Sequence, residues 1–512
     1  MPTAAEVRTQ LTGPGGMFEV TTAEVLGREM EVYANRMPSL RSVLEVGAMR
    51  GDDQTFIVYG DRTYGFGTFA RTANGVAKAL RGFGVQKGDR VAVLSQNNPE
   101  WCLTFWATVQ QGAILVGLNG WWTTDEIEYG LQDSGAKVLV ADQKRFERIA
   151  GSLDKAPDLE HVFLIDCTPA DVGLDGDPRV HEYSELTAEP SDQMIDAEIA
   201  EDDYAVIFYT SGTTGRPKGA ISTHRSMIAN LQNTMYNAVA GSMSGGGALP
   251  DDGGGQNVSL FTSPLFHVSG CHSTLVVGML AGLKLVMPVG RFTPEMALEL
   301  IQEHKVTVWA TVPTMVWRVC EHPDRHEYDT SSVRSVAFGG SPSAEELQRK
   351  IRETFPNVST TSNAYGLTET SSVATVISGE DALRKPTSVG PPVPTVKVKI
   401  VDAAGKELPV GETGEVCITG PILMAGYWNK PEATAEAIDE EGWLHTGDVG
   451  HLDDEGFLYI TDRKKDMIIR GGENVYCVEI EERLVSHPKI ADAAVIGVPH
   501  PELGEEVKAV VQ

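Results

Sequence analysis

A loop rich in glycine and hydroxyl residues follows an apolar run in the middle of the chain. It reads YTSGTTGRPKGA and spans residues 209–220. Its glycines Gly212, Gly215 and Gly219 allow successive backbone N–H groups to converge, and Lys218 adds a positive charge. The loop is not a Walker A motif, because no GK[ST] step leads into a helix. We therefore predict a polyphosphate cradle, with a Gly/Thr-rich hairpin and a solvated lysine as the alternative.

The elements that must position this loop form an alternating pattern. The apolar runs are RVAVLS (90–95), AILVGLN (113–119), KVLVAD (137–142), HVFLID (161–166) and the run at 202–209. Helix-length segments separate the first four runs, and we expect helices to begin near Asn98 and Pro99, at Gln143, and over 223–239. Strands that alternate with helices indicate βαβ units and a mostly parallel sheet covered on both faces. The predicted class is α/β.

Two other regions lack this alternation. Residues 241–256, GSMSGGGALPDDGGGQ, have neither a hydrophobic period nor core residues, which predicts a surface loop. Its two aspartates would oppose a bound phosphate. After residue 390, short alternating runs such as VKVKIVD and GFLYITD predict a β-rich part built from hairpins.

Composition limits the partners. The 512 residues predict two to four domains, and the net charge of −29 disfavours nucleic acid and anionic lipid. The six cysteines are scattered and form no CxxC pair, which fits a reducing cytosol. The N-terminus has no secretory signal pattern. The most apolar window, Leu275–Val289, is interrupted by Gly278, Gly282 and Lys284, so we expect a buried helix running into a strand rather than a membrane span.

Five further motifs follow the glycine-rich loop. They are FGGSP (338–342), NAYGLTE (363–369), TGD (446–448), DRKKDMII (462–469) and GGENVYCVEIE (471–481). In this order the motifs resemble those of the AMP-forming, adenylate-forming superfamily, which includes acyl-CoA synthetases, 4-coumarate-CoA ligases, luciferases and peptide-synthetase adenylation domains. The resemblance covers nearly the whole chain and is greatest to fatty-acyl-CoA synthetases.

The resemblance implies an architecture and a reaction. The expected architecture is a large N-terminal domain of βαβ-type sheets covered by helices over 1–461, with a β-rich subdomain at about 390–461. A hinge at 462–466 and a small, incomplete α+β C-terminal lid over 467–512 would follow. The expected reaction converts a fatty or other apolar carboxylic acid, ATP and CoA to acyl-CoA, AMP and pyrophosphate through acyl-AMP, with Mg²⁺ as cofactor. We expect a cytoplasmic enzyme without a transmembrane span, peripheral to a membrane if its substrates are lipids; a homodimer stays open.

The nucleotide-site residues implied by the resemblance surround the phosphates, adenine and ribose. Glu369 and Thr210 are the expected Mg²⁺ ligands, and Thr368 is expected to bond the α-phosphate. Tyr365 would offer a flat face to adenine. The full expected nucleotide set is Thr210, Ser211, Gly212, Thr213, Thr214, Gly215, Lys218, Gly339, Gly340, Ser341, Asn363, Ala364, Tyr365, Gly366, Thr368, Asp448, Ile460 and Arg463. Thr368, Glu369, Lys218 and Lys465 are the expected catalytic residues.

The resemblance also implies an acyl pocket, a CoA channel and a hinge. SPLFHVSG (263–270) resembles a strand and turn of the acyl pocket, and WATVPTM (309–315) its second wall. His267 is expected beside the reacting carboxylate, with a proton-transfer role or a core position as alternatives. The expected pocket residues are His267, Val268, Gly270, Trp309, Thr311 and Val312, and the expected CoA-channel residues are Gly471, Gly472 and Glu473. Lys465 falls on the hinge, where a solvated charge run is the alternative reading.

One motif of the superfamily is missing. Its adenylation lysine lies in a PxxxxGKxxR motif, whereas this chain ends at EEVKAVVQ. We therefore expect a truncated sequence with impaired adenylation, because losing one electrostatic stabiliser slows such a step by roughly two to three decades. The alternatives to a fatty-acyl-CoA ligase are an aryl-CoA ligase, an acyl-AMP ligase that loads a carrier protein, and a nucleotide-binding module of low turnover.

Overall fold

The computed structural model describes residues 3–210, 216–244, 255–339, 345–463, 467–470, 473–475, 477–485, 487, 490, 493–500 and 504–512. The strands are β1 (Val20–Val25), β2 (Arg28–Tyr33), β3 (Thr55–Tyr59), β4 (Arg62–Gly65), β5 (Arg90–Leu94), β6 (Ile114–Gly117), β7 (Val138–Asp142), β8 (His161–Ile165), β9 (Val180–Glu182), β10 (Tyr204–Thr210), β11 (Lys218–Thr223), β12 (Val258–Leu260), β13 (Lys284–Met287), β14 (Val308–Thr311), β15 (Ser335–Gly339), β16 (Thr360–Tyr365), β17 (Thr375–Ser378), β18 (Lys397–Val401), β19 (Gly414–Thr419), β20 (Leu444–Leu452), β21 (Leu458–Arg463), β22 (Ile468–Arg470), β23 (Glu473–Val475), β24 (Ala493–His500) and β25 (Gly504–Val511).

Helices connect and cover these strands. The α-helices are α1 (Ala4–Thr12), α2 (Leu40–Ala48), α3 (Phe66–Gly82), α4 (Pro99–Val109), α5 (Thr124–Ser134), α6 (Gln143–Phe146), α7 (Ser184–Thr187), α8 (His224–Met243), α9 (Val268–Gly270), α10 (Val277–Ala281), α11 (Pro294–His304), α12 (Pro313–Cys320), α13 (Glu345–Thr354), α14 (Gly379–Arg384), α15 (Pro431–Ala437) and α16 (Cys477–Val485). A π-helical turn, Cys271–Val276, joins α9 to α10, and a 3₁₀ turn covers Thr368–Thr370.

Two large sheets carry the predicted βαβ pattern. The first has the order β11-β10-β6-β5-β7-β8-β9 and is parallel except for the β10–β11 hairpin. The second has the order β17-β16-β15-β14-β12-β13-β3-β4 and is parallel except for its two end pairs, β16–β17 and β3–β4. The mixed α/β class predicted from the alternating runs is confirmed.

The largest hydrophobic cluster joins both sheets. It contains Val91 from the first sheet, Ile57 from the second, and the aromatic side chains Phe69 on α3 and Trp106 on α4, all fully buried. Burying these side chains between the layers removes apolar surface from water, which stabilises the fold by about 25 cal/mol for each Å² buried. The shared core fixes the two sheets relative to one another.

Local capping signals explain where two of the predicted helices begin. Asn98 accepts the backbone N–H of Trp101 at 2.8 Å, and Pro99 occupies the first helical position of α4. Thr223 caps α8 in the same way, accepting the N–H of Ser226 at 3.0 Å. The helix predicted at Gln143 is a single turn, α6.

The end of α8 differs from the prediction. The helix continues to Met243, so the first residues of the predicted surface loop at 241–256 are helical. The apolar face of the final turns, which includes Val239 and Met243, packs against a small cluster around Phe18 and Tyr236. This tertiary contact extends the helix beyond residue 239, where the predicted helix ends. Residues 245–254 lie outside the described part of the chain.

The remaining predictions about the chain's organisation can be compared directly. The Leu275–Val289 window forms the end of the π-helical turn, α10 and the buried strand β13, as expected. Strands β18-β19-β20-β21 form the predicted antiparallel β-rich part, and β23-β22-β25-β24 form a second small sheet. Among the described helices, none combines the length and the hydropathy that crossing a bilayer requires.

Candidate active site

The β10–β11 hairpin positions the two ends of the predicted phosphate loop. Thr210 pairs with Lys218 in the antiparallel register, and the Thr210 hydroxyl lies 3.4 Å from the Lys218 carbonyl oxygen. Below the loop, Tyr129 donates its hydroxyl to the Pro217 carbonyl at 3.0 Å, and the Arg216 guanidinium lies over the Tyr129 ring. The loop therefore leaves and re-enters the sheet at neighbouring positions.

Several predicted residues cannot be placed. Ser211, Gly212, Thr213, Thr214, Gly215, Gly340, Ser341, Lys465, Gly471 and Gly472 lie outside the described residues. Glu473 begins β23, where its backbone pairs with that of Arg470.

A strand-like segment brings a tyrosine between the lysine and the predicted metal ligand. The backbone at 425–428 pairs with β11, with Ile221 and Gly426 bonded at 3.0 Å. The Nζ of Lys218 lies 4.4 Å from the centroid of the Tyr427 ring, and the Tyr427 hydroxyl donates to Glu369 Oε1 at 2.7 Å. The structure thus brings Lys218 and Glu369, 151 positions apart in sequence, to the same tyrosine.

Tyr427 was not among the residues predicted from sequence. Burial, followed by the charge of Glu369, raises the pKa of its phenol well above the ordinary range. The hydroxyl therefore stays protonated and holds one carboxylate oxygen in place. A tyrosine in a GYW run gives no local signal for this role, because the contact depends on a long-range backbone pairing.

The turn that carries Thr368 and Glu369 is short and enclosed. Both residues are half-buried, and the Glu369 carbonyl accepts the Met424 N–H at 2.8 Å. Gly366 precedes the turn, and a Cβ at this position would overlap the carbonyl oxygen of Ser372. The absence of a side chain at Gly366 allows the chain to fold back tightly on itself.

The carboxyl ends of β15 and β16 place the predicted adenine residues side by side. Gly339 pairs with Ala364 in the parallel register, and a Cβ on Gly339 would lie 2.7 Å from the Ala364 carbonyl oxygen. Asn363 is 5% exposed, and within the described part of the chain its Oδ1 has no hydrogen-bond partner. A buried acceptor without a partner is costly, and the exocyclic amine of adenine is the kind of donor that would satisfy it.

Asp448 connects the predicted adenine and ribose residues. It is 5% exposed, and its Oδ2 accepts the Tyr365 hydroxyl at 2.6 Å. On the other side, Arg463 Nε lies 3.5 Å from Oδ1, because Asp448 and Arg463 face each other in the β20–β21 register. Burial, and then the Asp448 charge, raise the pKa of the Tyr365 phenol, so it remains a donor. Ile460 is half-buried on the same strand as Arg463.

The predicted acyl-pocket segment is a loop and a short helix rather than a strand. Strand β12 ends at Leu260, and Asn97 holds the following loop by donating to the Ser263 carbonyl at 2.8 Å and accepting the Leu265 N–H at 2.9 Å. These side-chain bonds replace the ladder of a strand. A Cβ on Gly270 would overlap the Pro264 carbonyl oxygen, which explains glycine at this bend.

His267 begins α9. Its Nδ1 lies 3.0 Å from the Ser269 hydroxyl. The side chain reaches solvent, yet the surrounding protein lowers its pKa by desolvation. The lowered pKa keeps the imidazole neutral at pH 7. Val268 and Gly270, which follow it, are buried.

The predicted second wall divides into inward and outward residues. Trp309 is fully buried, packs near Phe292 and Phe355, and donates its Nε1–H to Thr262 Oγ1 at 3.0 Å. It therefore belongs to the core and not to an accessible wall, because β-strand alternation turns its side chain away. Thr262 in turn donates to Thr311 Oγ1 at 3.0 Å, which links the loop after β12 to the end of β14.

Val312 is 38% exposed, whereas Trp309 and Thr311, the other predicted residues of the second wall, are buried. It precedes α12, which begins with Pro313.

Two family models match this chain. A model described as "AMP-binding enzyme" matches residues 44–428, and one described as "AMP-binding enzyme C-terminal domain" matches 479–512. The chain is 33% identical over 462 residues to a feruloyl-CoA synthase from an Amycolatopsis species, covering 89% of this chain and 85% of the relative. It is 32% identical over 497 residues to a long-chain-fatty-acid–CoA ligase from Bacillus subtilis, covering 92% and 85%.

A solved structure is similar over the same extent. The anthranilate CoA ligase AuaEII in complex with anthranoyl-AMP superimposes with a TM-score of 0.82 at 26% identity, covering 92% of this chain and 86% of that chain.

Proposed function

Since the chain belongs to the AMP-binding enzyme family of adenylate-forming acid–CoA ligases, we propose that it activates a fatty or other apolar carboxylic acid. In the first half-reaction a carboxylate oxygen attacks the α-phosphorus of ATP, and the bond to the pyrophosphate leaving group breaks. In the second, the thiolate of CoA attacks the acyl carbon and AMP leaves. The adenylate is needed because a free carboxylate has no adequate leaving group.

The observation that carries this proposal is the contact of Lys218 and Glu369 with the same tyrosine beside the β10–β11 hairpin. A cation at one end of the glycine-rich loop and a carboxylate held by the same tyrosine suit a charged phosphate chain and its metal. Lys218 would neutralise part of the phosphate charge, and Tyr427 would keep Glu369 directed toward the loop.

The described oxygens fit Mg²⁺. This ion prefers hard oxygen ligands and commonly takes only one or two from the protein, with the remainder from phosphates and water. Glu369 would supply a carboxylate oxygen and Thr210 a hydroxyl oxygen. When bound, the ion would stabilise negative charge on the phosphates.

The nucleoside half of ATP has a matching set of groups. The Asn363 amide oxygen would accept the adenine amine, and the Tyr365 ring would lie against the base. Asp448 would accept ribose hydroxyls, exchanging its present bond from Tyr365 for bonds from the ligand.

The acid would lie against His267 and Val312. A neutral imidazole and an apolar side chain favour an uncharged hydrocarbon body over a second anionic or cationic group. Aryl acids are the second candidate, because the similar proteins include a feruloyl-CoA synthase and a structure holding anthranoyl-AMP.

The test is an acid panel. Purified protein with ATP and Mg²⁺ is offered fatty, cinnamic and benzoic acids, and pyrophosphate release and CoA-thioester mass are measured separately. We expect acid-dependent pyrophosphate release and a CoA thioester with at least one apolar acid. Nucleotide binding without pyrophosphate release from any acid would contradict the proposal, and adenylation without a thioester would favour a carrier-protein acceptor.

A further inference from the structure

The turn that carries Glu369 ends in an unfavourable backbone conformation. Ser371 has φ = 48° and Ser372 has φ = 112°, although neither residue is glycine. Left-handed conformations of this kind are unfavourable for residues other than glycine and persist only where surrounding contacts impose them. The geometry of Glu369 therefore depends on whatever holds these two serines.

One group of contacts comes from β11 and α8. The Ser371 hydroxyl lies 2.8 Å from that of Ser226 and 3.1 Å from that of Ser222, with all three residues buried. Asn230, one helical turn further along α8, accepts the Val373 N–H at 3.2 Å. These bonds anchor the side chain of Ser371 and the exit of the turn.

A second group comes from the π-helical turn. His272 is 1% exposed, and its Nδ1 lies 3.1 Å from the Ser371 carbonyl oxygen. Because a carbonyl can only accept, Nδ1 must carry the proton. The ring stacks on Phe208 with centroids 5.3 Å apart, and the neighbouring Ser273 hydroxyl lies 2.6 Å from that of Ser372.

The π-helical turn is continuous with the acyl-pocket segment. The Cys271 N–H bonds to the His267 carbonyl at 3.0 Å, and the Thr274 hydroxyl donates to the Ser269 carbonyl at 2.9 Å. π-Helical turns are rare and often occur at functional sites, because a regular α-helix would turn the following side chains elsewhere. Here the wider turn directs His272 and Ser273 to the serines behind Glu369.

We propose that His272 is a positioning residue that fixes the Glu369 carboxylate for the metal by holding the Ser371 carbonyl. The inference rests on the proposed role of Glu369. It also makes the π-helical turn a physical connection between the acyl pocket and the metal ligand. Burial lowers the pKa of His272 to about 4, so at neutral pH the imidazole is the uncharged donor that this arrangement requires.

Two substitutions separate the donor from the ring. His272→Asn retains an N–H near the Nδ1 position, whereas His272→Phe retains a ring over Phe208 without a donor. His224→Phe is the matched control, because His224 is equally buried but accepts the Leu40 N–H at 3.2 Å and bonds to no residue of the turn. If His272→Phe does not fold, Ser273→Ala tests the neighbouring contact.

Two quantities are measured. Mn²⁺ binding is monitored by electron paramagnetic resonance in the presence of a non-hydrolysable ATP analogue, and pyrophosphate release is measured as a function of Mg²⁺ concentration. We expect His272→Phe to weaken Mn²⁺ binding by about tenfold and to raise the half-saturating Mg²⁺ to the same extent. His272→Asn should recover most of the loss, and His224→Phe should bind Mn²⁺ normally. In Ser273→Ala we expect a shift in the same direction of about threefold.

Equal losses in His272→Phe and His272→Asn, or unchanged Mn²⁺ binding in His272→Phe or in a folded Ser273→Ala, would overturn the inference. Glu369→Gln distinguishes the two proposals. If Glu369→Gln loses Mn²⁺ and His272→Phe does not, only the positioning role is wrong; if Glu369→Gln binds Mn²⁺ normally, the proposed metal site is wrong.

Discussion

The turn at Glu369 and the junction at Asp462, where β21 leads into the predicted hinge, are held in different ways. Side chains from β11, α8 and the π-helical turn bond the serines behind Glu369, and these groups are mostly buried. At this junction, the buried Asp462 carboxylate accepts the backbone N–H group of Arg463, which lies within the predicted hinge, and that of Cys477, which lies beyond it. The first arrangement would hold the proposed metal ligand before substrate arrives, whereas the bonds of the second could be exchanged if the C-terminal part rotates.

The largest expected effect falls on the fixed turn. In Glu369→Gln, one charged oxygen is replaced by an amide that binds Mg²⁺ weakly, so we expect pyrophosphate release to fall by roughly two to three decades. Stopped-time assays with saturating ATP measure this rate. Glu380→Gln, an exposed acid on α14, is the control and should keep the wild-type rate. A loss below fivefold in Glu369→Gln would remove Glu369 from the proposed metal site.

Acid should destabilise the fold through two buried histidines, of which His272 holds the turn at Glu369. Burial lowers the pKa of His272 and His224 from an ordinary 6.5 to about 4. As the pH falls below 6.5, these histidines become protonated in the unfolded chain but stay neutral in the folded chain. Their contribution to the free energy of unfolding is therefore complete above pH 6.5 and decreases toward pH 4. At pH 5 we expect a loss of roughly 2 kcal/mol for each histidine.

Urea unfolding at pH 7 and pH 5 measures this loss. His224→Gln and His272→Asn should each flatten the dependence over this window. A pH dependence unchanged in both variants would contradict the assignment of buried neutral histidines.

The smallest of these effects concerns the hinge. Lys465→Pro should slow thioester formation by about tenfold or more while leaving acyl-AMP formation close to wild type, because proline restricts the rotation that the second half-reaction would need. Pyrophosphate release and CoA-thioester formation are measured in parallel. Equal impairment of both half-reactions would count against a hinge at this residue.

Much of the fold could be predicted because its signals are local. The apolar runs that became β5 to β8 alternate with helices, and local caps at Asn98 and Thr223 begin α4 and, further along the chain, α8. The far end of α8 could not be predicted in this way, because contacts near Phe18 and Tyr236 extend it beyond its local pattern. The order of the strands in each sheet likewise depends on long-range pairing.

The site was predictable in its residue types and less so in its contacts. Glycines and the Glu369 and Asp448 carboxylates lie in recognisable motifs, whereas Tyr427 and His272 enter through a backbone pairing and a π-helical turn that no short pattern indicates. Trp309 illustrates the opposite error, since an aromatic residue in a pocket motif turned into the core and its neighbour Val312 stayed accessible. Trp309 lies within β14, whereas Val312 follows the end of that strand and precedes α12.

The close return of the chain at Gly366 has a consequence for how this site tolerates change. Any side chain at Gly366 would collide with the Ser372 carbonyl oxygen. Because Ser372 already has a positive φ, its backbone cannot shift to remove that collision. New substrate preferences are therefore expected to arise by replacement around the loops after β12 and β14, while the segment from Gly366 to Ser372 remains closed to variation.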